Sequence, residues 1–131
     1  MNKKFIYYQN GERIIEAGQQ ENKMYIIIEG DVEISLLEGQ NKVVVATLQK
    51  GDFFGEISLF NNTPRSANAI AAGNVKLVCI DSEMQLRSFL IKNPTFAAKM
   101  VHVLAMRLAK TDEILIGKID ELNRLKIMRD V

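Results

Sequence analysis

The residues of this chain best equipped for chemistry lie together between Gly51 and Ala67, a stretch that reads GDFFGEISLFNNTPRSA. Gly55 opens Glu56-Ile57-Ser58-Leu59-Phe60, long enough for one helical turn, and a helix start preceded by glycine leaves main-chain N–H groups open to an anion. Arg65 follows Pro64, and its guanidinium fork can grip two oxygens of one phosphate. Ser66 adds a hydroxyl beside it. Glu56, only an acceptor when ionised, would repel a phosphate but suits a sugar hydroxyl that donates to it. These types at this spacing imply a phosphate joined to a ribose.

Other chemistry is sparse. The single histidine, His102, falls in a helical region, so no cluster of histidine metal ligands can form and a cupin-type metalloenzyme is excluded; no metal site is assigned. Asp52 and Glu56 stand four apart without a histidine, cysteine or paired acid at catalytic spacing, and Asp52 reads as the cap of the turn at Gly51. No nucleophile is evident. No catalytic residue is therefore assigned, and the protein is expected not to be an enzyme. Cys79, the one cysteine, cannot make an internal disulfide, which points to the core and to a reducing, cytoplasmic setting. Phe53, Phe54 and Phe60 are expected to pack the interior rather than to stack on a base.

Size and charge narrow the partners. A chain of 131 residues, 47% hydrophobic and 25% charged, has the composition of one globular domain. Its net charge of +1 removes the broad positive field that non-specific nucleic-acid binders need, so any anion site must be local. After Met1-Asn2-Lys3-Lys4 only Phe5 to Tyr8 follow before polar residues, too short for a signal segment. Nothing approaches the roughly 20 apolar residues of a membrane helix, and no membrane partner is expected.

The elements that must position the anion site divide near residue 81. Seven of the eight glycines lie between Gly11 and Gly73, among short β-branched runs at Arg13 to Glu16, Met24 to Glu29, Val32 to Leu37, Lys42 to Leu48, Ser66 to Ala71 and Val75 to Ile80. These read as strands. Val32, Ile34 and Leu36 alternate with Glu33 and Ser35, the pattern of a strand with one buried face. Beyond Ile80 the period lengthens: Asp81 or Ser82 caps a short helix over 82–92, with Met84, Leu86, Phe89 and Leu90 as its apolar side. Asn93-Pro94 then starts a second helix that runs nearly to the C-terminus, with Gly117 as its one weak point.

At these residues the sequence resembles the cyclic nucleotide-binding domain, the sensor found in bacterial catabolite activators, cyclic-nucleotide-dependent kinases and nucleotide-gated channels. The resemblance runs from Gly11 to about Leu125, through Gly11-Glu12, Ile14, Gly18, Tyr25-Ile26-Ile27 and Gly30, and is most specific at 51–67, which matches the family's phosphate-binding cassette. It implies a mainly β fold with C-terminal helices: a β-roll or jelly-roll sandwich of about eight antiparallel strands, a short cassette helix and a long C-terminal helix. The β-roll and short helix occupy 1–93 and the long helix 94–131, as parts of one domain. It further implies main-chain phosphate contacts at Gly55 and Ile57, a side-chain contact at Arg65 supported by Ser66, and Glu56 on the ribose 2′-hydroxyl.

On the long helix Val101, Leu108, Leu115 and Leu122 recur every seven residues, with Leu104, Thr111, Lys118 and Leu125 as a second, half-polar row. The family's activators pair through this helix, so a homodimer is expected, and Gly117 would allow close approach. Asp112-Glu113, Asp120-Glu121, Lys126 and Arg129 read as its solvated face. In the activators a Thr-Ser pair on this helix meets the purine; the match places Thr111 on the threonine and replaces the serine with Asp112. A carboxylate there can accept from adenine or guanine donors, and Ser66 is compatible with either base. Similarity to the bacterial branch favours cyclic AMP, with cyclic GMP the alternative, and a ligand-free dimeric interaction module the reading from another class. No residues follow the long helix to form a helix-turn-helix, so direct DNA binding is not expected. The effector is left outside the sequence given.

Overall fold

The structure, a computed structural model, describes residues 5–129, with the side chains of Ile114 and of 125–129 outside that description. Leu125, Lys126 and Arg129, named above for their side chains, fall outside it. The chain forms two compact units that part between Lys92 and Asn93.

The first unit is built on two long strands. β1 (Phe5–Tyr8), β2 (Arg13–Ile15), β3 (Met24–Glu38), β4 (Asn41–Leu48), β5 (Phe53–Phe54) and β6 (Asn68–Ile80) make one antiparallel sheet in the order β1-β6-β3-β4, with β2 pairing β6 and β5 pairing β3. Where about eight strands are expected, six continuous ones are found among the described residues. The difference lies in β3 and β6, each of which joins two of the expected runs: Met24 to Glu29 continues into Val32 to Leu37, and Val75 to Ile80 continues back to Asn68. Their pairing runs from Met24↔Ile80 to Ser35↔Asn68 and shifts register on both sides of Glu29.

Gly30 sits at that shift with φ +92°, and a Cβ there would collide with the Asn74 carbonyl oxygen. Only glycine meets both demands, a positive φ and a main chain in contact. The bend lets both halves of β3 and β6 share one core of Ile14, Ile15, Tyr25, Ile27, Val32, Phe54, Ala69, Ala71, Val75, Leu77 and Cys79. Cys79 is buried there as expected.

The one-faced alternation expected of Val32, Ile34 and Leu36 fades along β3. Val32 is fully buried and Ile34 packs against the core, but Leu36 is 42% exposed, because it lies past Ser35↔Asn68, the last rung shared with β6. β1 and β5 were not among the expected strands. Phe5 to Tyr8 is four residues long and only half buried, and Phe53–Phe54 is a single pair of residues, so neither carries a periodic signal.

α1 (Glu56–Asn61) and α2 (Glu83–Lys92) complete the unit. Ser82 caps α2 as expected: its Oγ accepts from the Gln85 N–H (3.1 Å), while Gln85 Oε1 accepts from the Asp81 N–H (2.9 Å). Of the expected apolar side Leu86 is buried, whereas Met84 is 78% exposed; residues two apart on a helix point to nearly opposite sides. Phe60 likewise departs from the expected core. It is half exposed and lines an open groove with Met84, Leu86, Leu90 and Ile91.

The second unit is α3 (Pro94–Arg129), which begins at the expected Asn93-Pro94 with the Ala97 N–H donating to Asn93 O (3.0 Å) and runs unbroken through Gly117. Val101, Leu108, Leu115 and Leu122 are exposed along it. No helix among the described residues is long and apolar enough to cross a membrane.

Gly30→Ala is expected to destabilise the protein by about 2–3 kcal/mol from backbone strain and overlap with Asn74, read as a lower urea midpoint with an unchanged slope.

Candidate functional site

The stretch 51–67 is held to the roll at its start, its middle and its end. At the start, the Ile27 N–H donates to Asp52 O (2.9 Å) and the Gly51 N–H to Ile27 O (2.8 Å). Asp52 Oδ2 accepts from the Gln49 N–H (2.8 Å), closing the turn around Gly51 as expected of a cap. Phe53 and Phe54 then pair with Ile26 and Tyr25, both are buried as expected, and the Tyr25 and Phe54 rings stack at 5.3 Å. That pairing fixes where Gly55 emerges.

Gly55 turns the chain into α1 with φ +84°. It offers no side chain to cap the helix, so main-chain N–H groups of the first turn face whatever anion lies there. Asn62, also left-handed at φ +54°, ends the helix by donating its N–H to Ser58 O (3.2 Å), and Ser58 Oγ donates to Thr63 O (3.2 Å). The chain thereby turns back just past α1 and brings the Arg65 side chain onto Gly55 O.

Arg65 is only 6% exposed. Its Nη1 donates to Gly55 O (3.0 Å) and its Nη2 to Lys23 O (2.6 Å). A Cβ on residue 55 would lie 2.8 Å from Nη1 and 3.0 Å from Lys23 O, so the guanidinium fills the space that a side chain there would take. The third nitrogen, Nε, is buried with no hydrogen-bond partner among the described residues. An unanswered buried N–H of this kind costs about 1–3 kcal/mol, and a phosphate oxygen is a strong acceptor for it.

The structure thus brings Gly55 and Arg65 into contact and sets Glu56, 8% exposed, and Ile57, 61% exposed, in the first turn directly after Gly55. Ser66 follows Arg65 with its side chain exposed. Thr111 and Asp112 belong to the other unit; there Thr111 Oγ1 donates back to Arg107 O (3.0 Å), and Asp112 is exposed. Among the described residues no three His, Cys, Asp or Glu side chains lie close enough to hold a metal ion. Sequence reasoning missed Lys23, whose part is played by a carbonyl oxygen, and the turn at Ala17 to Gln20 against which Arg65 rests. Gly18 alone in that turn carried a signal.

A family model described as the cyclic nucleotide-binding domain matches residues 5–93. A cAMP-dependent protein kinase regulatory subunit of Mycosarcoma maydis is 42% identical over 66 residues, 50% of this chain and 13% of that protein. A CRP-like cAMP-activated global transcriptional regulator of Mycobacterium tuberculosis is 30% identical over 106 residues, 80% of this chain and 47% of that one. The chain therefore spans less than half the length of these curated relatives. The Thermus thermophilus catabolite activator protein superposes with a TM-score of 0.72 at 27% identity, covering 86% of this chain and 53% of its own.

Tyr25, stacked on Phe54 beside the cassette, has its hydroxyl ionisation pushed above the ordinary tyrosine value of 10, first by burial and next by the neighbouring Cys79. Tyr8 shifts the same way, burial again being the largest cause. Folding favours the protonated phenols, so this contribution is intact below pH 10 and is lost as pH rises beyond it. Urea unfolding followed from pH 8 upward is expected to show stability falling above about pH 10, with a shallower fall in Tyr25→Phe.

Proposed function

The chain belongs to the cyclic nucleotide-binding domain family, and we propose that within it this protein is a non-catalytic cyclic AMP sensor that reports binding through its C-terminal helix. The observation that carries the reading is Arg65: a buried guanidinium whose terminal nitrogens are held by the Gly55 and Lys23 carbonyls and whose Nε awaits an acceptor.

The cyclic phosphate is the group that fits there. Its negative charge offsets the buried cation, one oxygen accepts from Nε, and the main-chain N–H groups at Gly55 and Ile57 address the same phosphate from the helix start. Glu56 accepts from the ribose 2′-hydroxyl, and Ser66 supports the phosphate from the exposed side. The base contacts proposed, Thr111 and Asp112, rest on the resemblance to the bacterial activators alone. What favours cyclic AMP over cyclic GMP is the kind of relative it has, a cAMP-dependent kinase subunit and a cAMP-activated regulator.

Calorimetric titration with cyclic AMP and cyclic GMP tests the reading. Wild type is expected to bind cyclic AMP more tightly. Arg65→Ala removes the charge-assisted hydrogen bond from Nε and should weaken binding by about 1.5–3 kcal/mol, roughly one to two orders of magnitude. Equal affinity of wild type and Arg65→Ala would remove Arg65 from the site.

For output we propose a homodimer along α3, supported by the exposed row Val101, Leu108, Leu115 and Leu122 and by the family activators' use of this helix. Nucleotide binding shifts such a pair only if its two arrangements differ in affinity for the ligand. Light scattering at micromolar concentration is expected to give twice the chain mass, and a monomer with and without cyclic AMP would contradict the dimer. The effector is a further protein or domain, and no DNA contact by this segment is proposed.

A further inference from the structure

We propose that Asn68 is a positioning residue for the phosphate site, acting at a distance by pinning the Ala17 to Gln20 turn against which Arg65 is set. The inference rests on the cyclic nucleotide reading above, since it concerns how well Arg65 is placed for its ligand.

Four hydrogen bonds carry it. The Gly18 N–H donates to Arg65 O, and the Arg65 N–H donates to Gln19 O, both at 2.8 Å. Gln20 Nε2 donates to Asn62 O (2.8 Å), on the arm by which the cassette returns to Arg65. The turn is itself fixed at its start by Asn68, whose Oδ1 accepts from the Ala17 N–H at 2.8 Å across 51 residues of sequence. Asn68 is 5% exposed and opens β6 opposite Ser35, so its side chain issues from a buried position paired into the sheet. A main-chain N–H can only be met by the amide oxygen, which fixes the amide's orientation.

The consequence follows from what holds Arg65. Its side chain is aimed by two carbonyls, Gly55 O and Lys23 O, but its main chain is located by the Gly18 and Gln19 groups alone among the hydrogen bonds given above. If the turn shifts, the Arg65 Cα shifts with it, and the guanidinium must either leave its carbonyls or present Nε off line. A site held by a second layer of hydrogen bonds loses affinity when that layer is removed, although no ligand contact has been deleted.

The test compares Asn68→Leu, which keeps most of the volume without the acceptor, with Asn68→Asp, which keeps an acceptor oxygen at the same branch. Cyclic AMP affinity is measured by calorimetry in both, and in the Arg65→Lys background. Asn68→Leu is expected to weaken binding about tenfold, Asn68→Asp to stay within about threefold of wild type, and Asn68→Leu to add less than twofold once Arg65 is lysine. If Asn68→Leu does not fold, Asn68→Ser, too short to reach Ala17, takes its place. Wild-type affinity in the leucine or serine variant overturns the proposal, as does a tenfold loss in Asn68→Asp or a full tenfold loss persisting beside Arg65→Lys. Failure of wild type to bind any cyclic nucleotide would instead overturn the function proposed above.

Discussion

A guanidinium buried to 6% exposure must find its acceptors inside the protein, and among the described residues Nη1 and Nη2 find one each while Nε finds none. Leaving a charge in a low-dielectric setting without compensation is costly, and carbonyl dipoles repay only part of that cost. A buried arginine placed so favours an anion beside it. Glycine at 55 is part of the same constraint. Its positive φ turns the chain into α1, and its missing Cβ leaves the room that Nη1 occupies.

The roll makes this placement repeatable. The guanidinium's two carbonyl partners come from chain segments far apart, Lys23 just before β3 and Gly55 just after β5, and these are brought side by side by the pairing of Tyr25 with Phe54. The bend at Gly30 lets β3 and β6 carry the core and still deliver both of their ends to the cassette: Met24 follows Lys23, and Asn68 lies three residues beyond Arg65. Rigid strands thus locate a loop whose own segment, Thr63 to Ala67, has no regular structure.

What was legible beforehand was mostly local. The strand runs, the Ser82 and Asn93-Pro94 helix starts and the short turn after Gly55 all announce themselves within a few residues, because capping, φ preference and side-chain period are short-range effects. The same short range explains the errors. Gly30 and Gly73 look like breaks between strands, yet β3 and β6 each continue through theirs with a shift of register, since a glycine bend inside a ladder has the same local signature as a turn. Phe60 looks like core because it is aromatic, and its exposure depends on where α2 lies. Lys23 was invisible because every residue has a carbonyl, and only the fold decides which carbonyl an arginine meets. Asn68 falls inside the strand run expected from Ser66 to Ala71, where nothing local marks it.

The central claim is that Arg65 Nε is an unanswered donor that the cyclic phosphate completes. The most direct test is the Arg65 Nε–H signal in a 15N-resolved proton NMR titration with cyclic AMP. The account predicts a saturable downfield shift of that proton with slowed solvent exchange, at the same midpoint as the calorimetric affinity. A signal that stays in place while the protein binds cyclic AMP would contradict it.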